Sequence, residues 1–329
     1  MSTAVGGAWG SAGPAQGPVD DASVDRERRL DALLRWASGQ LAAAGVPSPR
    51  ADAELLAAHV LEAPRGRVGV WAVTGRELEP AQADQLRRLV RARATRVPLQ
   101  HLTGTAAFRS LELRVGQGVF VPRPETELVA GRAAEALAGL VRDRGATPVT
   151  AVDLCTGSGA IAAAIAEEVP GVRVHAVEAD HAAARWAAEN LGPRGVTLHV
   201  ADAAAALPGL DGGVDVVVSN PPYVPDGRIP DQPEARRDPD LALYGGGADG
   251  MRLPAVVAAT AARLLRPRGL LVMEHDDTQA PAMGRLLGES GLFTAVLTHQ
   301  DLNGRPRYTE AVRTARPVAG RPGGESVGE

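Results

Sequence analysis

Val216-Val217-Val218-Ser219-Asn220-Pro221-Pro222-Tyr223 is an apolar, β-branched run cut off by Asn-Pro-Pro-aromatic, the pattern of a buried strand that ends in a rigid polar tip. Two prolines lock φ and remove two main-chain donors, so Asn220 is presented at the strand's carboxyl end on a stiff turn. No helix starts at once to consume the carbonyls. Asn220 Oδ1 and the Pro221 carbonyl are then two acceptors facing one space, which suits a single amino group, and Tyr223 offers a face for a planar group to stack on. Pro222 completes the tetrad. Asn-Pro and Pro-Pro are also common turn dipeptides, so an ordinary strand-to-loop turn is the competing reading.

On both sides of this stretch strands and helices alternate. The patterning predicts strands over residues 150–154, 172–177, 196–200, 214–219 and 270–274. Helices are expected over 160–167, 181–191, 253–265 and about 283–290, and two closing strands over 295–299 and 308–313 form an edge hairpin. That repetition predicts an α/β, doubly wound sheet of about seven strands, with ligands at the strands' carboxyl ends.

Further upstream the period changes. Leu30, Leu33, Leu34, Ala37 and Leu41 recur at helical spacing until Gly45-Val46-Pro47. Ser48-Pro49 caps a second helix with Ala51, Leu55, Leu56 and Val60 on its apolar side, and a third runs over about 78–96. In that third helix Leu86, Leu89 and Val90 point inward, and Arg87, Arg88, Arg91 and Arg93 mostly outward. The expected organisation is a helical bundle over 25–97, suited to gripping a macromolecule, and a hairpin linker over 98–118. A catalytic domain follows over 119–316. The arginine run reads either as a solvated face or as a binding patch. Residues 1–24 and 317–329, rich in Gly, Ala, Pro and Ser, are expected to be disordered tails.

Composition narrows the classes. A chain of 329 residues with net charge −4 and pI near 6.0 is no dedicated nucleic-acid binder. All 35 basic residues are arginine, so no single Arg stands out by type. The lone Cys155 rules out an internal disulfide or a multi-cysteine metal site, and a reducing cytoplasm is the simplest setting. A secretory signal pattern and a membrane-length apolar run are both missing.

Functional candidates cluster at predicted strand ends. In Asp153-Leu154-Cys155-Thr156-Gly157-Ser158-Gly159 the glycines allow close backbone approach ahead of a helix N-terminus. It falls short of the full dinucleotide fingerprint. Glu178 is spaced to accept from ribose hydroxyls, and Asp202 adds an acceptor for an adenine amino group. A carboxylate at the Glu178 position serves NAD and S-adenosylmethionine sites alike, and each acid singly reads equally as a helix cap or solvated loop. Pro122-Arg123-Pro124-Glu125-Thr126-Glu127 fixes an extended approach to a helix start at Thr126, either a plain helix start or a lid.

Taken together, the Asp153 to Ile161 turn, Glu178, Asp202 and the Asn220-Pro221-Pro222-Tyr223 tetrad resemble a class I S-adenosylmethionine-dependent N-methyltransferase. With 122–127, His101-Leu102-Thr103-Gly104 and Gly246-Gly247-Ala248-Asp249-Gly250 added, residues 26–314 resemble the bacterial peptide chain release factor glutamine methyltransferases. The resemblance implies a Rossmann-like methyltransferase fold. It also implies methyl transfer from S-adenosyl-L-methionine to the glutamine amide nitrogen in the Gly-Gly-Gln loop of class 1 release factors. By the same resemblance Cys155, Thr156, Gly157, Ser158 and Gly159 hold the methionine part, Glu178 the ribose, and Asp202 and Ala203 the adenine end. Phe120, Arg123, Thr126 and Glu127 cover the site, and the loop over 226–249 shapes the glutamine entrance. Asn220 to Tyr223 orient the amide, and Asn220 also contacts the cofactor. Cys155, Ala203 and Asp276 depart from the family's usual residues, glycine, an aromatic and glycine respectively. The competing expectations are a ribosomal-protein glutamine methyltransferase, a nucleic-acid amino-methyltransferase, a non-catalytic cofactor-binding partner and a NAD dehydrogenase. The leading reading requires no metal, no nucleic-acid contact and no membrane.

Overall fold

In the computed structural model, which describes residues 27–315, the chain divides into two units after Thr103. Both expected tails lie outside the described residues.

The first unit contains α1 (Leu30–Ala43), α2 (Pro49–Val60), α3 (Arg65–Val73), α4 (Pro80–Ala94) and the short α5 (Leu99–Thr103). Leu30, Leu33, Leu34 and Leu41 of α1 pack with Leu56, Leu86 and Val90 in one core. Ser48 holds the N-cap position of α2 without a side-chain capping bond, and Pro49, whose fixed φ suits a first helical turn, follows it. One expectation fails here. The arginines of α4 do not all face outward: Arg87 and Arg93 are 3% and 5% exposed. Arg93 Nε donates to Asp52 Oδ2 at 2.8 Å, a pair formed 41 residues apart. That pairing turns α2 so that Asp52 and Ala53 face in and Leu55 is 36% exposed. Removing either partner would strand a buried charge at a cost of about 3–5 kcal/mol.

The second unit begins with a hairpin, β1 (Thr105–Phe108) and β2 (Leu111–Arg114), paired antiparallel; residues 99–103, expected within the linker, are helical. Next come α6 (Thr126–Arg144), β3 (Val149–Leu154), α7 (Ala160–Glu168), β4 (Val172–Glu178), α8 (His181–Leu191) and β5 (Thr197–Val200). The chain continues through β6 (Val214–Ser219), α9 (Asp240–Leu243), α10 (Arg252–Leu264), β7 (Leu265–Glu274), α11 (Ala280–Gly288), β8 (Phe293–Gln300) and β9 (Pro306–Arg313). The strands form one seven-stranded sheet in the order β5-β4-β3-β6-β7-β9-β8. β3 to β7 run parallel, and β9 pairs antiparallel with both β7 and β8.

Alternation along the strands feeds two cores. Ala151, Val216 and Val218 pack with α6 and α7 through Val129, Leu137, Ile161 and Ile165. Val152, Leu154 and Val217 pack with α10 and α11 through Val257, Ala261, Met283 and Leu287 on the opposite face. The sheet is built outward from β3 to β5 and then restarts at β6 on β3's other side. This strand-order reversal opens a crevice between the carboxyl ends of β3 and β6, where doubly wound sheets place their ligands.

Candidate functional site

A cavity of about 460 Å³ occupies that crevice, within the size range of small-molecule sites. Its lining includes Phe120, Arg123, Thr126, Cys155, Thr156, Gly157, Ser158, Glu178, Asp202, Ala203 and all of Asn220 to Tyr223. Gly159 and Glu127 are the two anticipated residues outside it. A Cβ on Gly159, at φ +85°, would lie 2.9 Å from Leu191 Cγ, so this glycine serves the packing of α7 on α8. Glu127 Oε1 accepts from the Arg109 amide at 2.9 Å, which directs it to the hairpin instead of the cavity.

The β3 side is organised by buried bonds to loop donors. Asp153 Oδ2 accepts from Thr156 Oγ1 at 2.5 Å and from the Ala162 amide at 3.2 Å, tying the turn to the first residues of α7. Burial pushes its carboxyl up to about 7 against those bonds. Glu178 takes the Gly157 amide on Oε2 and the Asp180 amide on Oε1, each at 2.8 Å; burial raises this group as well. Asp202 Oδ1 caps the turn at Ala203–Ala205 through the Ala204 amide at 2.8 Å. Glu178 and Asp202 therefore act as local structural acceptors and also face the cavity. Cys155 sits at φ +59°, and burial pushes its thiol up, which keeps it protonated.

The β6 side is organised by side chains. Asn220 Nδ2 lies 3.2 Å from Thr126 Oγ1, which leaves Oδ1 for the cavity. Among the described residues no protein donor is paired with Oδ1 or with the Pro221 carbonyl. Behind them Tyr223 Oη approaches Glu274 Oε1 at 3.5 Å. Gln279 Nε2 donates to the Tyr223 and Asp249 carbonyls, both at 2.8 Å, pinning the tetrad to the glycine loop. Gly250, at φ +72°, passes so close that a Cβ there would fall 2.1 Å from the Tyr223 carbonyl oxygen. The loop after Tyr223 lines the mouth through Arg228, Asp231, Gln232, Leu241 and Leu243. Arg123 spans from the Phe120 ring, 4.9 Å from its guanidinium carbon, to the buried Asp238 at 2.7 Å. Burial pushes Asp238 up to about 6, and Arg123 opposes that shift.

Three contributors were not anticipated. Asn190 Nδ2 donates to the Ser158 carbonyl at 2.8 Å and to the Arg114 carbonyl at 2.9 Å, linking the cofactor-type turn to the hairpin. Its scarcity in the chain was the only hint. Asp238 carries no local signal, since its partner lies 115 positions away, and the Asp276-x-x-Gln279 capping box marks Gln279 only as a helix start, its tetrad partner lying 56 positions away.

A family profile described as the PrmC N-terminal domain matches residues 32–104, and one described as the methyltransferase small domain matches residues 132–232. Over 290 residues the chain is 47% identical to the release factor glutamine methyltransferase of Mycolicibacterium smegmatis (88% of this chain, 99% of that one). It is 48% identical over 290 residues to that of Streptomyces coelicolor, with the same shares covered. A Streptomyces pristinaespiralis protein named 4-amino-L-phenylalanine/4-methylamino-L-phenylalanine methyltransferase is 39% identical over 287 residues, covering 82% of this chain and 96% of its own.

Proposed function

The chain belongs to the release factor glutamine methyltransferases, and from that premise we propose that it methylates the side-chain amide nitrogen of the glutamine in the Gly-Gly-Gln loop of class 1 release factors, with S-adenosylmethionine as donor. One observation carries the reading: two unpaired acceptors, Asn220 Oδ1 and the Pro221 carbonyl, border one cavity with the cradle at Thr156, Gly157 and Glu178. An amide nitrogen is a poor nucleophile because its lone pair is delocalised into the carbonyl. Two fixed acceptors hold both N–H bonds, aim the lone pair and stabilise the positive charge that grows on nitrogen as it is alkylated. The Tyr223 ring offers the planar amide a face, and its hydroxyl remains protonated because burial pushes it up.

The fit to the donor rests on this chain's own residues. Nothing lies within 4 Å of the Cβ position at Gly157, so the turn is open toward the cavity. Glu178 and Asp202 bring carboxylates for hydroxyl and amino donors, and the small Ala203 takes the place of an aromatic. S-adenosylmethionine, when bound, supplies a methyl group activated on a sulfonium. The nitrogen's surplus proton leaves after transfer, so no general base is assigned. The same reading sets the protein in the cytoplasm with a protein substrate. No helix among the described residues is long and apolar enough to cross a membrane.

The test is mass spectrometry of unmethylated release factor after incubation with this protein and methyl-labelled S-adenosylmethionine. One methyl on the Gly-Gly-Gln glutamine, absent with Asn220→Ala, is the expected outcome. Parallel reactions with ribosomal protein, nucleic acid and 4-amino-L-phenylalanine separate the alternatives, and transfer to any of these with none to release factor overturns the proposal.

A further inference from the structure

The cavity is covered by two segments, and each is anchored to a different half of the site. Residues 115–121 pack on α8, the helix that follows Glu178: Val115, Val119 and Val121 meet Ala183 and Trp186 in a small apolar cluster, and Trp186 Nε1 donates to the Gln117 carbonyl at 3.2 Å. Phe120, carried by this segment, therefore belongs to the cradle side. The loop over 226–249 is fastened to the tetrad side instead. The Val224 amide donates to the Leu243 carbonyl at 2.8 Å and the Gly245 amide to the Val224 carbonyl at 3.0 Å, while Asp226 Oδ2 accepts from the Gly247 amide at 2.7 Å. Between these fastenings Pro230, Gln232, Ala235 and Leu241 line the cavity.

The two covers are joined at Arg123. Its guanidinium carbon lies over the Phe120 ring, 4.9 Å from the centroid, and its Nη2 donates to Asp238 Oδ2 at 2.7 Å. The Asp238 side chain is fully buried, and that of Arg123 is 27% exposed. A planar, delocalised cation can serve both partners at once, its face on the ring and its edge N–H groups on the carboxylate. A lysine ammonium is a compact point charge and serves one of them at a time. In a chain whose basic residues are all arginine the type of this residue carried no signal; its geometry makes the type matter. We infer that Arg123 is a positioning residue that couples the two binding events of methyl transfer: a donor that orders Phe120 sets the guanidinium, and with it the Asp238 loop at the glutamine entrance. The inference rests on the proposed donor and release-factor reading.

The coupling runs both ways. A protein substrate that orders the loop holds Asp238, hence Arg123, hence the ring over the donor side. The entropy lost in ordering the two covers is then met once, by whichever ligand arrives first, and the second binds more tightly for it. Each ligand must change the other's affinity by the same factor.

The test measures, in the full-length protein, the calorimetric affinity of unmethylated release factor with and without saturating S-adenosylhomocysteine, the demethylated donor, which cannot react. In the parent the affinity should be at least about fivefold tighter with it. Arg123→Lys, Arg123→Ala and Asp238→Ala should each bring that ratio to within about twofold of unity, and KM for release factor should rise by a larger factor than kcat falls. A loss of packing alone would weaken both affinities and leave their ratio in place. A parent ratio within about twofold of unity, or a parent-like ratio in Arg123→Lys or Asp238→Ala, overturns the inference. Arg123→Ala leaves Asp238 a buried charge without its cation; if that variant does not fold, Arg123→Ala combined with Asp238→Ala decides in its place. A wild-type enzyme that binds S-adenosylhomocysteine yet transfers no methyl to release factor from S-adenosylmethionine overturns the functional reading instead.

Discussion

The carboxyl ends of β3 and β7 each bury one carboxyl, and in both burial pushes the group up to about 7, yet the two are used differently. Asp153 is met by a hydroxyl and a main-chain amide of its own turn, three and nine residues away. Glu274 is approached only by the Tyr223 hydroxyl, at 3.5 Å and 51 positions away, and its Oε2 is buried without a partner. The first arrangement fixes the shape of a cradle and leaves the ligand to main-chain groups. The second leaves one carboxyl oxygen unpaired behind the tetrad. A buried acid therefore has no single meaning at a strand end; its neighbours decide whether it holds a loop or stays largely unpaired in the wall of the site.

Four perturbations sharpen that contrast. The largest effect is expected at Asn220→Ala, which removes an acceptor from the reaction side and leaves the cradle intact. Methyl transfer should fall by about 10²–10³ or more while calorimetric cofactor affinity stays within about twofold. A parallel loss of affinity would mean that the two sides are not separable.

Next is the stability cost of Glu274. Its folded-state value lies above the ordinary 4.5, so its favourable contribution to folding is complete below about 4.5 and is lost as pH rises through about 7. Glu274→Gln should be more stable than the parent at pH 8 by about 2–3 kcal/mol, with the difference closing near pH 4.5 in denaturant titrations. Equal stability at both pH values would show that Arg307 and Thr126 compensate the burial fully.

Asp153→Ala should act mainly on the cradle. With the Thr156 hydroxyl and the Ala162 amide left unpaired, cofactor affinity should weaken about tenfold. The kcat at saturating cofactor should change less than about threefold. The smallest effect is at Cys155→Gly. Relief of the left-handed backbone at φ +59° is worth about 1–2 kcal/mol and is offset by the extra freedom of glycine in the unfolded chain, about 0.5–1 kcal/mol. A gain below about 1 kcal/mol is expected in thermal unfolding.

The sheet was legible because its signals are local. Val216 to Ser219 names a buried strand, and Glu178 and Asp202 stand where such strands end, so a site at the strands' carboxyl ends was readable, while the strand order that opens the crevice beside β3 was not. What sequence could not supply were partners distant in the chain. Arg93 reads as solvated until Asp52, 41 residues away, is brought beside it. Glu127 sits in the segment that lines the cavity, yet the Arg109 amide turns it away. The α3 helix was not singled out: its nine residues carry two glycines and no capping side chain, so packing through Val68 and Ala72 decides it, not propensity. Glu274 was visible as a strand end, but its neighbours Thr126 and Tyr223 lie far upstream.

Gln279, which binds the Tyr223 and Asp249 carbonyls with one NH2, has a consequence for synthesis. Chains emerge N-terminus first and fold as they lengthen. The cradle draws on residues up to Asp202, whereas the tetrad waits for Glu274 and Gln279 to be made and docked. A nascent chain halted between these points would own a place for the donor with nothing yet to pin the acceptor turn, so in the enzyme's own translation competence to react arrives later than the place for the donor.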